Sequence, residues 1–229
     1  VIGMPKYWVW ENYTRALNVG NMPRYFLNSI IVTVATILIT LLTSIMASYA
    51  LTRLKWRART TMHKFFMLGL TIPIHASIVP LYTTLADLDM LNTYWALILP
   101  TIASSMGLFL MKQFMESNIT DEMLESARMD GATELRTFWT IAMPMVKPAW
   151  LTLIIYCFQG LWNAGSSIYI HSEQLKTFNY AIGQITAGGV ARAGASAAAT
   201  VVMMMVPILV FVISQSNIIE TMGTSGMKD

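Results

Sequence analysis

The sequence predicts an all-α integral membrane protein, a polytopic helical bundle, and three observations carry that prediction. Only 12% of the 229 residues are charged while 55% are hydrophobic, against roughly 25% charged in an average soluble domain. The charges are also segregated: 25–52, 65–86, 90–111, 148–172 and 193–219 hold no Asp, Glu, Lys or Arg. Each stretch is at least as long as the ~20 residues an α-helix needs to cross the hydrocarbon core. Finally, residues 30–42 (IIVTVATILITLL) are apolar on all sides, relieved mainly by threonine. The strands of a membrane barrel would instead alternate apolar and polar residues over about 10 positions, and only a helix satisfies its own backbone in lipid. A soluble enzyme is excluded.

Taken in order, residues 1–24 lead into the first expected span, and Arg53, Lys55, Arg57, Arg59 and Lys64 crowd the connection after it. The second and third spans meet around Asp87 and Asp89. Lys112, Arg128, Arg136 and Lys147 then fall in 112–147, ahead of the last two spans and a tail, 216–229, that carries Lys228. Ten of the 15 Lys and Arg therefore lie on one side; Lys6, Arg15, Arg24, Lys176 and Arg192 lie on the other. Positive residues stay cytoplasmic, so 1–24 is expected outside and the C-terminus inside. An outside start without a signal peptide requires a sixth span upstream of the five. The same topology accounts for the basic run 53–64 and the pI near 9.0, with no nucleic acid as partner.

Much chemistry is missing. No glycine is followed by lysine, so the chain has no P-loop to cradle nucleotide phosphates. His63, His75 and His171 are too scattered for a helical metal pair, and no metal site is expected. No acidic residue lies inside a span, which leaves an ion-coupled relay of buried carboxylates without material. Cys157 is the only cysteine; it permits no intrachain disulfide and reads as a small packing residue. The energy for any transport must come from elsewhere.

The connection 112–147 is too long for a simple turn and carries helical punctuation. Thr120 reads as an N-cap, with Asp121 and Glu122 in the first turn favouring the positive end of the helix dipole. Met123, Leu124 and Ala127 are expected on one apolar face, and Gly131 to end the helix in a left-handed conformation. Thr133 can cap a second short helix with an apolar stripe of Leu135, Phe138, Trp139 and Ala142, ended by Pro144 and Pro148. An alternative reading lays this hairpin on lipid.

Within it, Glu125-Ser126-Ala127, three residues, Gly131, nine residues, Ile141, one residue, Met143-Pro144 resembles the EAA loop of binding-protein-dependent ABC importer permeases. The family pattern is Glu-Ala-Ala, three residues, Gly, nine residues, Ile, one residue, Leu-Pro; Ser126 and Met143 depart from it. Tyr25–Ile30 (YFLNSI), Pro73–Tyr82, Leu91–Ala96 (LNTYWA) and Trp162-Asn163 resemble segments of the carbohydrate branch of that family. The resemblance implies a six-span type I importer permease of the bacterial inner membrane. It implies a partner ABC ATPase dimer that binds ATP and magnesium, a second permease subunit and an extracytoplasmic solute-binding protein. It also implies that Glu125, Ser126, Ala127, Asp130, Gly131, Ile141 and Pro144 belong to the ATPase-coupling loop, and that the cargo is a carbohydrate. Two alternatives stay open: the same machine carrying another small polar solute, and a stand-alone channel or scaffold.

Polar side chains at membrane depth usually face the protein interior or a water-filled path. Gln159, Trp162 and Asn163 set an amide beside an indole, a surface suited to hydroxyls and an apolar ring face. With His75 they are the candidate substrate-path residues. The small-residue run 187–199 (AGGVARAGASAAA) is expected to pack tightly against a neighbouring helix.

Overall fold

A computed structural model describes residues 9–18, 21–54, 56–164, 168–189 and 193–225, the side chains of 74 and 214–225 excepted. Among these residues every regular element is helical. The α-helices are α1 (Glu11–Asn18), α2 (Met22–Thr52), α3 (Arg59–Gly69), α4 (Ile78–Asp87), α5 (Tyr94–Ile102), α6 (Ser105–Asn118), α7 (Asp121–Met129) and α8 (Glu134–Thr137). After them come α9 (Met143–Met145), α10 (Lys147–Trp162), α11 (Phe178–Thr186) and α12 (Ala193–Ser225). The chain divides into two units, Val1–Ile31 with Trp162–Asp229, and Val32–Leu161.

Among the described residues, length and composition qualify two helices to cross a membrane, Met22–Thr52 and Ala193–Ile213. Two bent pairs raise the number to four if each is one span: Tyr94–Ile102 with Ser105–Asn118, bent by 41°, and Glu134–Met145 with Lys147–Trp162, bent by 75°. The five charge-free stretches thus do not become five straight helices. Stretch 65–86 is divided among the end of α3, a 3-10 turn at Ile74–Ser77 and α4. Pro73, extended at ψ 128, stands before that turn, where it removes a backbone donor and biases its predecessor away from helix. In 90–111, α5 carries Pro100 and stops at Ala103. Ser104 restarts the chain, its hydroxyl accepting from the Gly107 N–H at 2.9 Å.

In the second unit, α2 buries its hydroxyls. Thr33, Thr36, Thr40, Ser44, Ser48 and Thr52 recur every three or four residues and are at most 4% exposed, whereas Val34, Leu38, Leu42 and Met46 are 42–55% exposed. Water would favour the reverse. Lipid tails are as apolar as leucine, so the large side chains gain nothing by turning inward, and small hydroxyl residues let helices approach. Ser48 donates to the Leu108 carbonyl of α6 at 3.0 Å, and Thr40 reaches the Thr101 carbonyl at 3.4 Å, near the end of α5 where carbonyls lose their helical partners. Further along, Ile45 and Tyr49 of α2, Met111 and Met115 of α6, Leu124 of α7, Phe138 and Ala142 just after α8, and Leu153 of α10 form one buried cluster. Cys157 packs half-buried against it, in keeping with a packing role.

In the first unit, the head of α2 holds the segment before α11. Asn28, 1% exposed, donates its amide to the carbonyls of Gln174 and Lys176 at 2.8 and 2.9 Å. Arg24 reaches the same Gln174 carbonyl at 3.1 Å, and the Tyr25 hydroxyl donates to Glu173 at 3.0 Å. Ser29 accepts from the Phe178 N–H at 2.9 Å, which caps the first turn of α11. The small-residue run does pack closely: a Cβ on Gly194 would lie 2.8 Å from the Asn12 amide of α1, and Ala198 and Ala199 are buried. Residues 190–192 of that run lie outside the described residues, as do Lys55, 1–8 and 226–229. The expected tail 216–229 is helical as far as Ser225.

Candidate functional site

The hairpin 119–145 is punctuated where its side chains dictate. Thr120 and Thr133 are extended and accept from the N–H groups of Met123 at 3.4 Å and Arg136 at 3.3 Å, one cap for each helix. Glu122 is held below its usual carboxyl range, first by a hydrogen bond with the Thr120 hydroxyl. Gly131 has φ +77. Around it the Ala132 N–H donates to the Ala127 carbonyl and the Gly131 N–H to that of Arg128, both at 3.0 Å. These paired bonds are a Schellman ending, which requires a left-handed residue between helix and turn.

The expected faces are corrected in part. Leu124, Ala127, Phe138 and Ala142 are buried, but Met123, Leu135 and Trp139 are 42%, 65% and 48% exposed, and Met129 is 88% exposed. Room in the shared cluster extends to one side of each helix only. Nor do Pro144 and Pro148 end the second helix. It continues as a π segment, Phe138–Ala142, then α9 through Met145. Pro144 has no N–H for the Thr140 carbonyl, and the turn before it widens so that Met143 donates to Phe138. The break falls at Val146, and Pro148 opens α10.

Of the expected coupling residues, Glu125, Ser126, Asp130, Gly131 and Pro144 are exposed, Ala127 is buried and Ile141 half-buried. The candidate substrate-path residues lie in different elements of the chain. His75 is exposed on the 3-10 turn and Gln159 is exposed in α10. Trp162 is 3% exposed, donates to the Met203 carbonyl at 3.2 Å and meets Phe26 edge-on at 5.9 Å. The Asn163 carbonyl accepts from Asn179 at 2.7 Å. Residues 165–167, which follow, lie outside the described residues.

Five residues that sequence reasoning left out of the site, Tyr49, Arg53, Asp121, Arg128 and Glu134, hold the hairpin to α2 and its end. The Tyr49 hydroxyl donates to Glu134 Oε2 at 3.1 Å, and Arg128 Nε donates to Glu134 Oε1 at 2.8 Å. The Arg128 guanidinium, opposed by partial burial and helped by Tyr49, holds the Glu134 carboxyl below its usual range. Arg53 donates to Asp121 at 2.9 Å and to the Met115 carbonyl at 2.9 Å. Tyr49 and Arg53 stand four residues apart on one helical face, a spacing visible in the sequence.

With apolar helices of membrane length and a capped hairpin packed onto α2, the described residues are those of an integral membrane protein. The chain belongs to the family of binding-protein-dependent transport system inner membrane components, which matches residues 39–222. It is similar to the diacetylchitobiose uptake system permease protein NgcG of Streptomyces coelicolor, 35% identical over 162 residues, 70% of this chain and 53% of that protein. It is likewise similar to the arabinooligosaccharides transport system permease protein AraQ of Bacillus subtilis, 31% identical over 69% of this chain and 57% of that protein. The chain thus spans just over half the length of these relatives. Its fold resembles a chain of a bacterial ABC transporter involved in import of the acidic polysaccharide alginate, with TM-score 0.78, 20% identity, and coverage of 90% of this chain and 78% of that one.

Proposed function

We propose that this chain is the permease subunit of an ABC importer for a carbohydrate, an oligosaccharide in particular, working by alternating access. A partner ATPase dimer binds ATP and magnesium and drives the cycle; a second permease subunit completes the path, and an extracytoplasmic solute-binding protein delivers the cargo. Five spans lie in 25–219, with 1–24 outside and the tail inside. The hairpin within 112–147 is the docking element, and Glu125, Ser126, Ala127, Asp130, Gly131, Ile141 and Pro144 are its coupling residues. Gln159, Trp162, Asn163 and His75 are assigned to the substrate path.

The observation that carries this reading is the hairpin itself. It buries Leu124 and Phe138 in the cluster shared with α2, α6 and α10, while its outer side leaves Met123, Met129, Leu135 and Trp139 exposed. Four large apolar side chains left exposed on one short hairpin suit an interaction site. The names of the two relatives, diacetylchitobiose and arabinooligosaccharides, support an oligosaccharide as cargo.

The test is purification of the affinity-tagged chain from its native membrane in mild detergent. An ATPase and a second permease are expected with it, and reconstituted vesicles should take up a labelled oligosaccharide only with ATP and binding protein present. A chain that recovers no ATPase, or conducts solute without ATP, would be the stand-alone channel or scaffold.

A further inference from the structure

We propose that Tyr49, Glu134 and Arg128 form a positioning strut that makes the hairpin and the end of α2 move as one body. Glu134 is the node. One oxygen accepts from Tyr49 of α2 at 3.1 Å and the other from Arg128, at the end of α7, at 2.8 Å. One carboxylate therefore joins α2, α7 and α8.

The geometry around the node favours transmission over simple adhesion. Tyr49 is 5% exposed, and its ring meets Phe138 edge-on at 5.3 Å, so the hydroxyl is aimed by packing. The head of α7 is held one turn further along, where Arg53, directly after α2, pairs with Asp121 at 2.9 Å. Arg53 also donates to the Met115 carbonyl at 2.9 Å, near the end of α6. α2 thus grips both helices of the hairpin, at points on opposite sides of the Gly131 turn. A charge-assisted hydrogen bond is short and directional, and packed side chains on rigid helices carry displacement as a unit. A push on the hairpin therefore reaches α2 through Glu134.

This inference rests on the reading that the hairpin docks on an ATPase, and the experiment separates the two. The full complex is purified and reconstituted with wild-type chain, Tyr49→Phe, Glu134→Gln and the double variant. Tyr49→Phe keeps the ring on Phe138, and Glu134→Gln keeps an oxygen for Tyr49 while removing the charge facing Arg128. Recovered ATPase, stimulated ATP hydrolysis and uptake are each measured. We expect ATPase recovery to stay at the wild-type level while uptake per ATP falls by roughly three- to ten-fold. The double variant should be no worse than the poorer single, because both changes cut the same connection. Merely structural loss would lower recovered complex and leave uptake per ATP unchanged. Unchanged uptake per ATP in all three variants, with ATPase recovered, overturns the strut alone. Absence of ATPase from the wild-type preparation overturns the docking reading and the strut with it.

Discussion

Ser44 of α2 stands directly over Gly107 of α6: a Cβ at position 107 would lie 2.7 Å from Ser44 Oγ and 3.1 Å from a Leu153 methyl. Two backbones approach there because one residue has no side chain. Gly107→Val should destabilise the purified protein by about 1–3 kcal/mol, the usual cost of overpacking. Ser44→Ala in the same chain should restore part of that loss, since it removes the nearer obstacle. Thermal unfolding in detergent reads both; a double variant no more stable than Gly107→Val would place the conflict at Leu153 and Ser104, each 3.1 Å from the added Cβ.

Gly131 presents a different constraint. Its φ is +77, yet a Cβ added there would find nothing within 4 Å, so the cost of a side chain is conformational and not steric. Gly131→Val should cost about 1–3 kcal/mol at the turn and lower the amount of recovered ATPase at normal insertion. Gly131→Asn, which tolerates the left-handed region, should keep most of that recovery. Equal loss in both would mean that the partner surface forbids any side chain at this point.

Asn28 serves two carbonyls of the segment it holds. Asn28→Ala leaves those oxygens without their amide, a loss of about 1–3 kcal/mol. Lys176 is 7% exposed in the intact protein, so trypsin should spare the bond after it. In the variant this bond should become cleavable, seen as a new fragment by mass spectrometry; an unchanged digest would mean that Arg24 and Tyr25 hold the segment unaided.

The Glu134 carboxyl titrates below its ordinary 4.5 in the folded chain. A group with a depressed folded pKa stabilises fully above the unfolded value and loses that contribution as pH falls through the folded one. The difference in unfolding temperature between wild type and Glu134→Gln should be positive near pH 7. It should shrink as the pH is taken below about 4.5. A difference independent of pH would show that the charge on Glu134 contributes nothing to the fold.

Orientation has its own measurement. In a Cys157→Ala background, Ala58→Cys should react with an impermeant maleimide only from the cytoplasm and Leu88→Cys only from outside, as the distribution of Lys and Arg requires. Labelling of position 88 from the cytoplasm would invert the topology.

What was legible in the sequence was local. The caps at Thr120 and Thr133 and the ending at Gly131 involve partners within five residues, so their chemistry is written contiguously. The helical class and the family were legible as well, from charge segregation and from the spacing of Glu125, Gly131, Ile141 and Pro144. Apolar stripes were read less well: periodicity says that Met123, Leu135 and Trp139 share faces with buried residues, not how far the neighbouring core extends. The stretch 65–86 counts as one span by charge alone, and Pro73, a helix breaker legible in the sequence, stands where the structure divides it. Tyr49 and Glu134, 85 residues apart, leave no periodic signal; only the fold brings them together. The Trp162 indole, read as a sugar-facing surface, has its N–H on a backbone carbonyl of α12, which no local pattern foretells.

The hydroxyl seam of α2 bears on attempts to make this protein soluble without detergent. Exchanging apolar for polar residues wherever hydropathy is high would strike the wrong positions only if burial were ignored, because the interior of this helix is already its more hydrophilic half. Replacing Val34, Leu38, Leu42 and Met46, all at least 42% exposed, with Glu, Lys or Gln recasts the outer surface and leaves the Thr40, Ser44 and Ser48 contacts intact. The reverse strategy, strengthening the interior with larger aliphatic residues as one would in a water-soluble bundle, would push α2 off Gly107 and Leu108. For this helix, a surfactant-free form is a problem in surface exchange, with the interhelical packing retained unaltered.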